Sequence, residues 1–472
     1  MYQNSKALHQ SPRMSFGTNL WLELHALVSN SNSQNTINVI LVAYLAKCSE
    51  YENALYLAEE PSRLYKAALI LVEAQMFQQQ VDFCISKMLS LMNVDAEVET
   101  PYLKYFVSYA LLCEIKMRDS SLDILCNYQG FRVLYNNLYS NFAYLSEYGD
   151  DSSKLSQKDS SLDDVEYEIM DDFRKISTLQ MDILFQIIKF SKCSEQDLKL
   201  IDNFFVFFLM NTMVSSTTED LFNNTKFKLL LSINEQYMIF NKKCHDNLDQ
   251  KIENKVFKFL LNTSVSQSFI ELLFLFFNRT NNDRSLQIMI CKLLYLVLTS
   301  NSDIVMNFFY LNDLKVLTDV LIREIDNLSA SEEYVRNTFL RLLYRLLKYT
   351  ELSTIEYRKQ DLQTVLTQLT RIDNESKNAD QLECQNCTIT LANKCLSDIA
   401  WLAIKDKTVT DDNASEVSSF SDSNSVFLAK QNSNTESLAH MYTDPNVNVS
   451  IDSLKLKKRP PPPIPRKSKR CM

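Results

Sequence analysis

A chain of 472 residues with 46% hydrophobic content can bury a large core, and at that length it divides into domains or stacks repeats. It holds only three glycines, Gly17, Gly130 and Gly149, where average usage of roughly 7% predicts roughly thirty; phosphate-cradling loops, nucleophile elbows and most βα turns need glycine, so P-loop, dinucleotide-fold and kinase readings are excluded together. The net charge of −9 hides a division: residues 451–472 carry eight Lys and Arg against Asp452, or +7, leaving −16 on residues 1–450, which argues against nucleic acid as a partner of the body.

Residues 1–18 are polar, show no charged-then-apolar leader, and read as a disordered N-terminus. From Asn19 to about residue 405 the pattern is one of successive helices, separated by Asn/Ser/Asp-rich breaks at Ser29–Asn35, Asn211–Asp220, Asn278–Asp283 and Thr299–Asp303. Such breaks close turns without glycine, which fits an all-α chain. One long acidic, Ser-rich stretch, about residues 146–172, reads as a mobile insertion. The run Ile201–Met210 is apolar but too short to span a bilayer, and eleven cysteines without framework spacing suit reduced thiols in a cytosolic protein.

Further along, Leu286–Leu298 is apolar nearly all round and should be sandwiched between neighbours, whereas Leu314, Leu317, Val320, Leu321 and Leu328 form one inward stripe. In Val335–Lys348 the stripe is Phe339, Leu342, Leu343, Leu346 and Leu347. Alternation of amphipathic and fully buried helices is what a stacked solenoid of armadillo or HEAT type needs, although no clean repeat signature stands out. Opposite the last stripe, Arg341, Arg345 and Lys348 fall at i, i+4 and i+7. A basic strip on an acidic body can grip an acidic partner; the bland reading is a solvated face.

Chemistry is hard to place. Cys384-x-x-Cys387 with Cys395 lacks the second pair or nearby His that structural zinc requires, so these read as buried free cysteines and no metal or other cofactor is expected. His245 lies in a polar connection, and the paired acids Glu332-Glu333 and Asp171-Asp172 suit loops and helix starts. No active site emerges, and the chain reads as a non-enzyme.

Residues 406–454 are rich in Ser, Asn, Asp and Thr and read as a disordered linker. Then comes Lys457-Lys-Arg-Pro-Pro-Pro-Pro-Ile-Pro-Arg-Lys-Ser-Lys-Arg470, within a basic tail of residues 455–472. Consecutive prolines favour a polyproline II helix, the shape an SH3 groove takes with one basic flank. Arg459, Pro460, Pro462, Pro463, Pro465 and Lys467 satisfy the motif in both orientations. The basic clusters also admit a nuclear-localisation reading.

Phe227-Lys-Leu-Leu-Leu-Ser-Ile-Asn-Glu-Gln-Tyr-Met238 resembles the leucine-rich domain of the WISH/DIP family, in particular its fungal low-dye-binding members. Phe277-Asn-Arg-Thr280, the helix Leu286–Leu298, Phe309–Glu324, Val335–Thr350, Leu391–Leu396 and Trp401-Leu402 fit the same domain, so the specific likeness covers about residues 226–402. The resemblance implies an activator of the Arp 2/3 complex that needs no pre-existing filament and seeds linear actin filaments at cortical endocytic patches. It also implies SH3-bearing coat proteins as partners, actin only indirectly, and no membrane insertion. Conventional activators end in an acidic segment with a tryptophan; this chain ends basic, and its tryptophans are Trp21 and Trp401. Activation is therefore expected from the folded helical surface. A passive SH3-binding endocytic scaffold and a solenoid adaptor with a nuclear signal remain as alternatives.

Overall fold

A computed structural model describes residues 13–29, 34–51, 55, 62–93, 101–148, 164–191, 193–215, 220–243, 251–279, 283–371 and 379–403. All regular elements among them are helical. They are α1 (Arg13–Val28), α2 (Gln34–Glu50), α3 (Ser62–Val72), α4 (Gln75–Gln79), α5 (Val81–Met92), α6 (Pro101–Met117) and α7 (Ser120–Asn127). Next come α8 (Gly130–Tyr148), α9 (Asp164–Phe190), α10 (Glu195–Leu200), α11 (Asn203–Asn211), α12 (Leu221–Lys243), α13 (Lys255–Leu260) and α14 (Thr263–Arg279). The last are α15 (Arg284–Leu298), α16 (Ser302–Phe308), α17 (Leu311–Asn327), α18 (Glu333–Tyr349), α19 (Leu352–Ile355), α20 (Lys359–Leu369) and α21 (Ala379–Asp398), with a single 3-10 turn, Ala330–Glu332, before α18. No helix among the described residues is long and apolar enough to cross a membrane.

Contacts divide the helical region into two units, the first built on residues up to Ile201 with Glu219–Leu229, the second on Asp202–Thr218 and from Leu230 onward. Within the first unit α6 packs on α3 and on α9, and α5 on α8, with the short α4 and α7 between them. The second unit repeats this pattern more plainly. There α11, α14, α17 and α20 follow one another in one layer, and α15, α18 and α21 in the other, with the short α16 packed on α15 and the short α19 touching both layers. Within each layer a helix thus lies on the helix three places before it, the stacking of an armadillo-type solenoid.

The inward stripes lie where hydrophobic periodicity puts them. Every residue of Leu286–Leu298 in α15 is buried, as the near-continuous apolar run requires. Phe339, Leu342, Leu343, Leu346 and Leu347 of α18 are buried too, and the Phe339 ring meets Phe277 of α14 edge-on at 6.1 Å. The polar breaks act as caps. Ser194, Asp202, Asn254, Asp283 and Asn301 each accept a hydrogen bond from the backbone N–H three residues on, at 2.9–3.1 Å. Gly130 is a glycine the turn requires: it follows Gln129 at φ 59°, and a Cβ there would lie 2.7 Å from Leu125.

Two boundaries differ from expectation. The first helix begins at Arg13, inside the stretch expected to be disordered, directly after Pro12, a residue suited to helix starts. The expected insertion at 146–172 also shrinks from both ends, because α8 continues to Tyr148 and α9 starts at Asp164. Met170 is already buried in α9, so an acidic sequence here builds helix instead of loop. Residues 149–163 and 404–472, with the linker and the whole tail, lie outside the described residues.

Candidate interaction surface

Asn337, Arg341, Tyr344 and Lys348 share one stripe of α18, the stripe where the basic strip was expected, and most of it is covered by α21. The Asn337 side-chain amide donates to the Cys384 carbonyl at 2.9 Å and its oxygen accepts from the Thr388 hydroxyl at 2.9 Å. The Glu333 carboxylate lies within hydrogen-bond distance of the same Thr388 hydroxyl and shares its one proton with Asn337. Arg341 donates to the Cys387 thiol at 3.4 Å, and the Tyr344 hydroxyl donates to Asp398 at 3.1 Å. Beyond the helix, the Trp401 indole N–H donates to the Leu347 carbonyl at 3.3 Å.

Arg341 is therefore not part of a solvated or partner-facing strip. Burial pushes its guanidinium below the usual arginine range, and the Cys387 thiol and nearby tyrosines only partly offset that. Burial likewise pushes the Cys387 thiol up, against the pull of Arg341. The reason is the character of α21, whose facing residues Cys384, Thr388, Ala392 and Cys395 are small or weakly polar and pass for a surface in sequence. Cys395 is fully buried.

What remains open is the C-terminal end of the strip. The Arg345 guanidinium lies over the rings of Tyr295 at 5.8 Å and Tyr349 at 5.2 Å. Lys348 lies 5.2 Å from the Tyr344 ring centre and 5.8 Å from that of Tyr349, and donates to the Tyr344 hydroxyl at 2.8 Å. That hydrogen bond holds the Lys348 ammonium above the usual lysine range, against partial burial. Lys394 of α21 also lies 5.3 Å from the Tyr344 ring centre. Three cations thus share an aromatic platform, and Tyr349 is 49% exposed. Cation–π contact fixes the long side chains while leaving their charge available, so the patch can bind carboxylates at low ordering cost. Sequence spacing singles out Arg345 and Lys348, and a search for Tyr four residues from Lys on α18 would have added Tyr344; Lys394 and Tyr295 lie on other helices and leave no such signal.

The stretch carrying the family resemblance turns out to build the interior of the second unit. Asn234 accepts from Asn254 at 2.8 Å, and that same Asn254 caps α13. Glu235 forms a buried ion pair with Lys292 of α15. Two turns on from Asn234, Asn241 accepts from the Ile252 N–H at 2.8 Å and donates to the Ile252 carbonyl at 2.7 Å. These residues position α12, α13 and α15 and present nothing to a partner. The candidate SH3-binding residues, Arg459 to Lys467, lie outside the described residues.

With this geometry in hand, likeness to known proteins can be weighed. The SPIN90/Ldb17 leucine-rich domain matches residues 219–362, which span α12 to α20 and include Arg345, Lys348 and their tyrosines. Protein LDB17 of Saccharomyces cerevisiae is 42% identical over 446 residues, covering 90% of this chain and 88% of that one. Protein LDB17 of Eremothecium gossypii is 44% identical over 389 residues, 82% of each chain. Protein dip1 of Schizosaccharomyces pombe is 30% identical over 172 residues, 36% of this chain and 45% of its own. Identity of this order over most of both chains settles the kinship: the chain belongs to the SPIN90/Ldb17 family.

Proposed function

We propose that this chain regulates the actin cytoskeleton by binding and activating the Arp 2/3 complex without a pre-existing filament, so that a linear actin filament is seeded at cortical endocytic patches. The observation that carries this reading is family membership along nearly the whole chain, joined to the implied activity of the WISH/DIP resemblance. The protein acts by binding and not by catalysis.

The folded surface does the work in this reading. A stacked helical unit whose helix α15 is buried from Leu286 to Leu298 is stiff, and a stiff surface favours one arrangement of a multi-subunit partner by binding it more tightly than the other. The cation–aromatic patch of Arg345, Lys348 and Lys394 is the candidate contact, a cluster of cations on a body, residues 1–450, that carries −16. The basic proline-rich tail acts separately, raising local concentration by engaging SH3-bearing coat proteins. The test is polymerisation of pyrene-labelled actin with purified Arp 2/3 complex and no preformed filaments. A lag that shortens with added protein is expected; an unchanged lag at saturation would leave a passive scaffold.

A further inference from the structure

The cation–aromatic patch lies beside the point where the described chain stops. Trp401 donates its indole N–H to the Leu347 carbonyl at 3.3 Å, one residue before Lys348, and the Leu402 carbonyl accepts from the Gln363 side chain at 2.9 Å. These two bonds fix residues 401 and 402 against α18 and α20, inside the same unit as the patch. Arg345 is held by two tyrosine rings, and Lys348 by two rings and a hydroxyl; among the described residues neither is ion-paired with a carboxylate. Asp398 accepts from Tyr344 and acts on Lys348, and Glu351 stands at the N-cap of α19. Three ring-held cations, with the buried Arg341, outnumber those two acids. The patch therefore keeps an excess of positive charge, with the Tyr349 ring half open beside it.

The chain that continues from Ala403 has the opposite charge. Residues 406–422, outside the described residues, hold Asp406, Asp411, Asp412, Glu416 and Asp422 against Lys407, or −4. Val409, Val417 and Phe420 are interspersed among these acids. Carboxylates pair with cations that rings already hold in place, and apolar side chains pack on open tyrosine rings. Asp411 follows Leu402 by nine residues, a span that bond geometry limits to about 30 Å. Since Trp401 already touches Leu347 and the patch starts at the next residue, the patch lies within that limit. We infer that residues 406–422 dock in cis on Arg345, Lys348 and Lys394, so that the chain's own acidic segment closes the patch. Position and charge select this occupant over a separate chain, because it is covalently held at the site and opposite in sign. Closure lowers the affinity for any anionic partner in proportion to the fraction of molecules left open. Docking itself is independent of Arp 2/3 activation.

The test uses a fluorescein-labelled peptide of residues 406–422 and fluorescence anisotropy at low ionic strength with two full-length proteins. One is the wild-type chain; the other carries Asp411→Asn, Asp412→Asn and Glu416→Gln. The neutralised chain is expected to bind the peptide about tenfold more tightly than wild type, whose own segment competes from a high local concentration. A peptide carrying the same three neutral replacements should bind about tenfold more weakly than the acidic one. Adding Arg345→Glu and Lys348→Glu to the neutralised chain should remove binding with circular dichroism unchanged; should that protein unfold, Arg345→Gln with Lys348→Gln carries the same test. Equal binding by wild type and the neutralised chain would mean an open patch suited to a partner's acids, and would overturn docking in cis. Binding that survives the changes at Arg345 and Lys348 would place the peptide elsewhere, the basic tail included, and would overturn the site. Absence of binding by both chains, or equal binding of the neutral peptide, would overturn it as well.

Discussion

Lys292 and Glu235 meet as an ion pair sealed inside the second unit, each side chain only 7% exposed. Burial works against the ammonium, and the Glu235 carboxylate more than offsets it, so Lys292 stays charged above the usual lysine range. Removing one partner strands the other as a buried charge. Glu235→Ala is expected to cost roughly 3–5 kcal/mol, whereas the double change Glu235→Leu with Lys292→Met should recover most of that loss. Urea unfolding of the three variants checks the order. Because the Lys292 value is raised, its contribution is fully present below the unfolded-state lysine value of about 10.4 and is lost as pH rises through the higher folded value. Wild type should therefore lose this contribution only in strong alkali. A double variant as unstable as Glu235→Ala would show that the site needs the charges themselves.

Asn241 satisfies both backbone groups of Ile252. Asn241→Ala leaves a buried N–H and a buried carbonyl unpaired and should cost about 1–3 kcal/mol. Asn241→Asp keeps the acceptor for the N–H but sets a carboxylate oxygen against the carbonyl, so it should be no better than alanine at neutral pH. Thermal melts at matched concentration decide this, and an Asp variant as stable as wild type would refute the two-bond clamp.

The two ends of the basic strip should respond in opposite ways. Arg341→Ala should lower the melting temperature, since its guanidinium fills the space under α21 beside Cys387. Arg345→Glu with Lys348→Glu should leave folding nearly unchanged and weaken actin nucleation with the Arp 2/3 complex. If the charge reversal leaves nucleation intact, the cation–aromatic patch faces away from the partner.

The tail predictions separate recruitment from activation. Pro462→Ala with Pro465→Ala empties both proline pockets of an SH3 domain and should abolish SH3 pull-down while nucleation by purified protein persists. A chain ending at residue 406 should likewise activate as well as the full chain at saturation. If that shorter chain folds with an unchanged melting temperature and nucleates nothing, activity resides in the tail.

Helix limits in the second unit were legible because their signals are local. Asn301 and Asp283 announce their caps, and the Phe339 to Leu347 stripe has a period that only a helix satisfies. The three-place stacking of α15, α18 and α21 left no repeat signature to read, because packing asks for volume and periodicity and not for particular residues. Arg341 was misread for a related reason: local pattern gives the face a side chain occupies, and only the path of α21 tells what covers that face. The roles of Asn234 and Asn254 were invisible until a contact across twenty residues of sequence brought them together.

Connections closed by side-chain amides in place of glycine have a further consequence for how the protein ages. Slow loss of an amide converts Asn to Asp, and Asn is among the residues that long or warm storage damages first. At Asn301 the change is silent for stability, because only the side-chain oxygen is used and Asp caps a helix as well as Asn. At Asn254 and Asn241 the amide nitrogen itself is a buried donor, to Asn234 and to the Ile252 carbonyl. The same one-atom change there would break a bond and bury a charge, so conversion to Asp costs far more at these two positions than at Asn301.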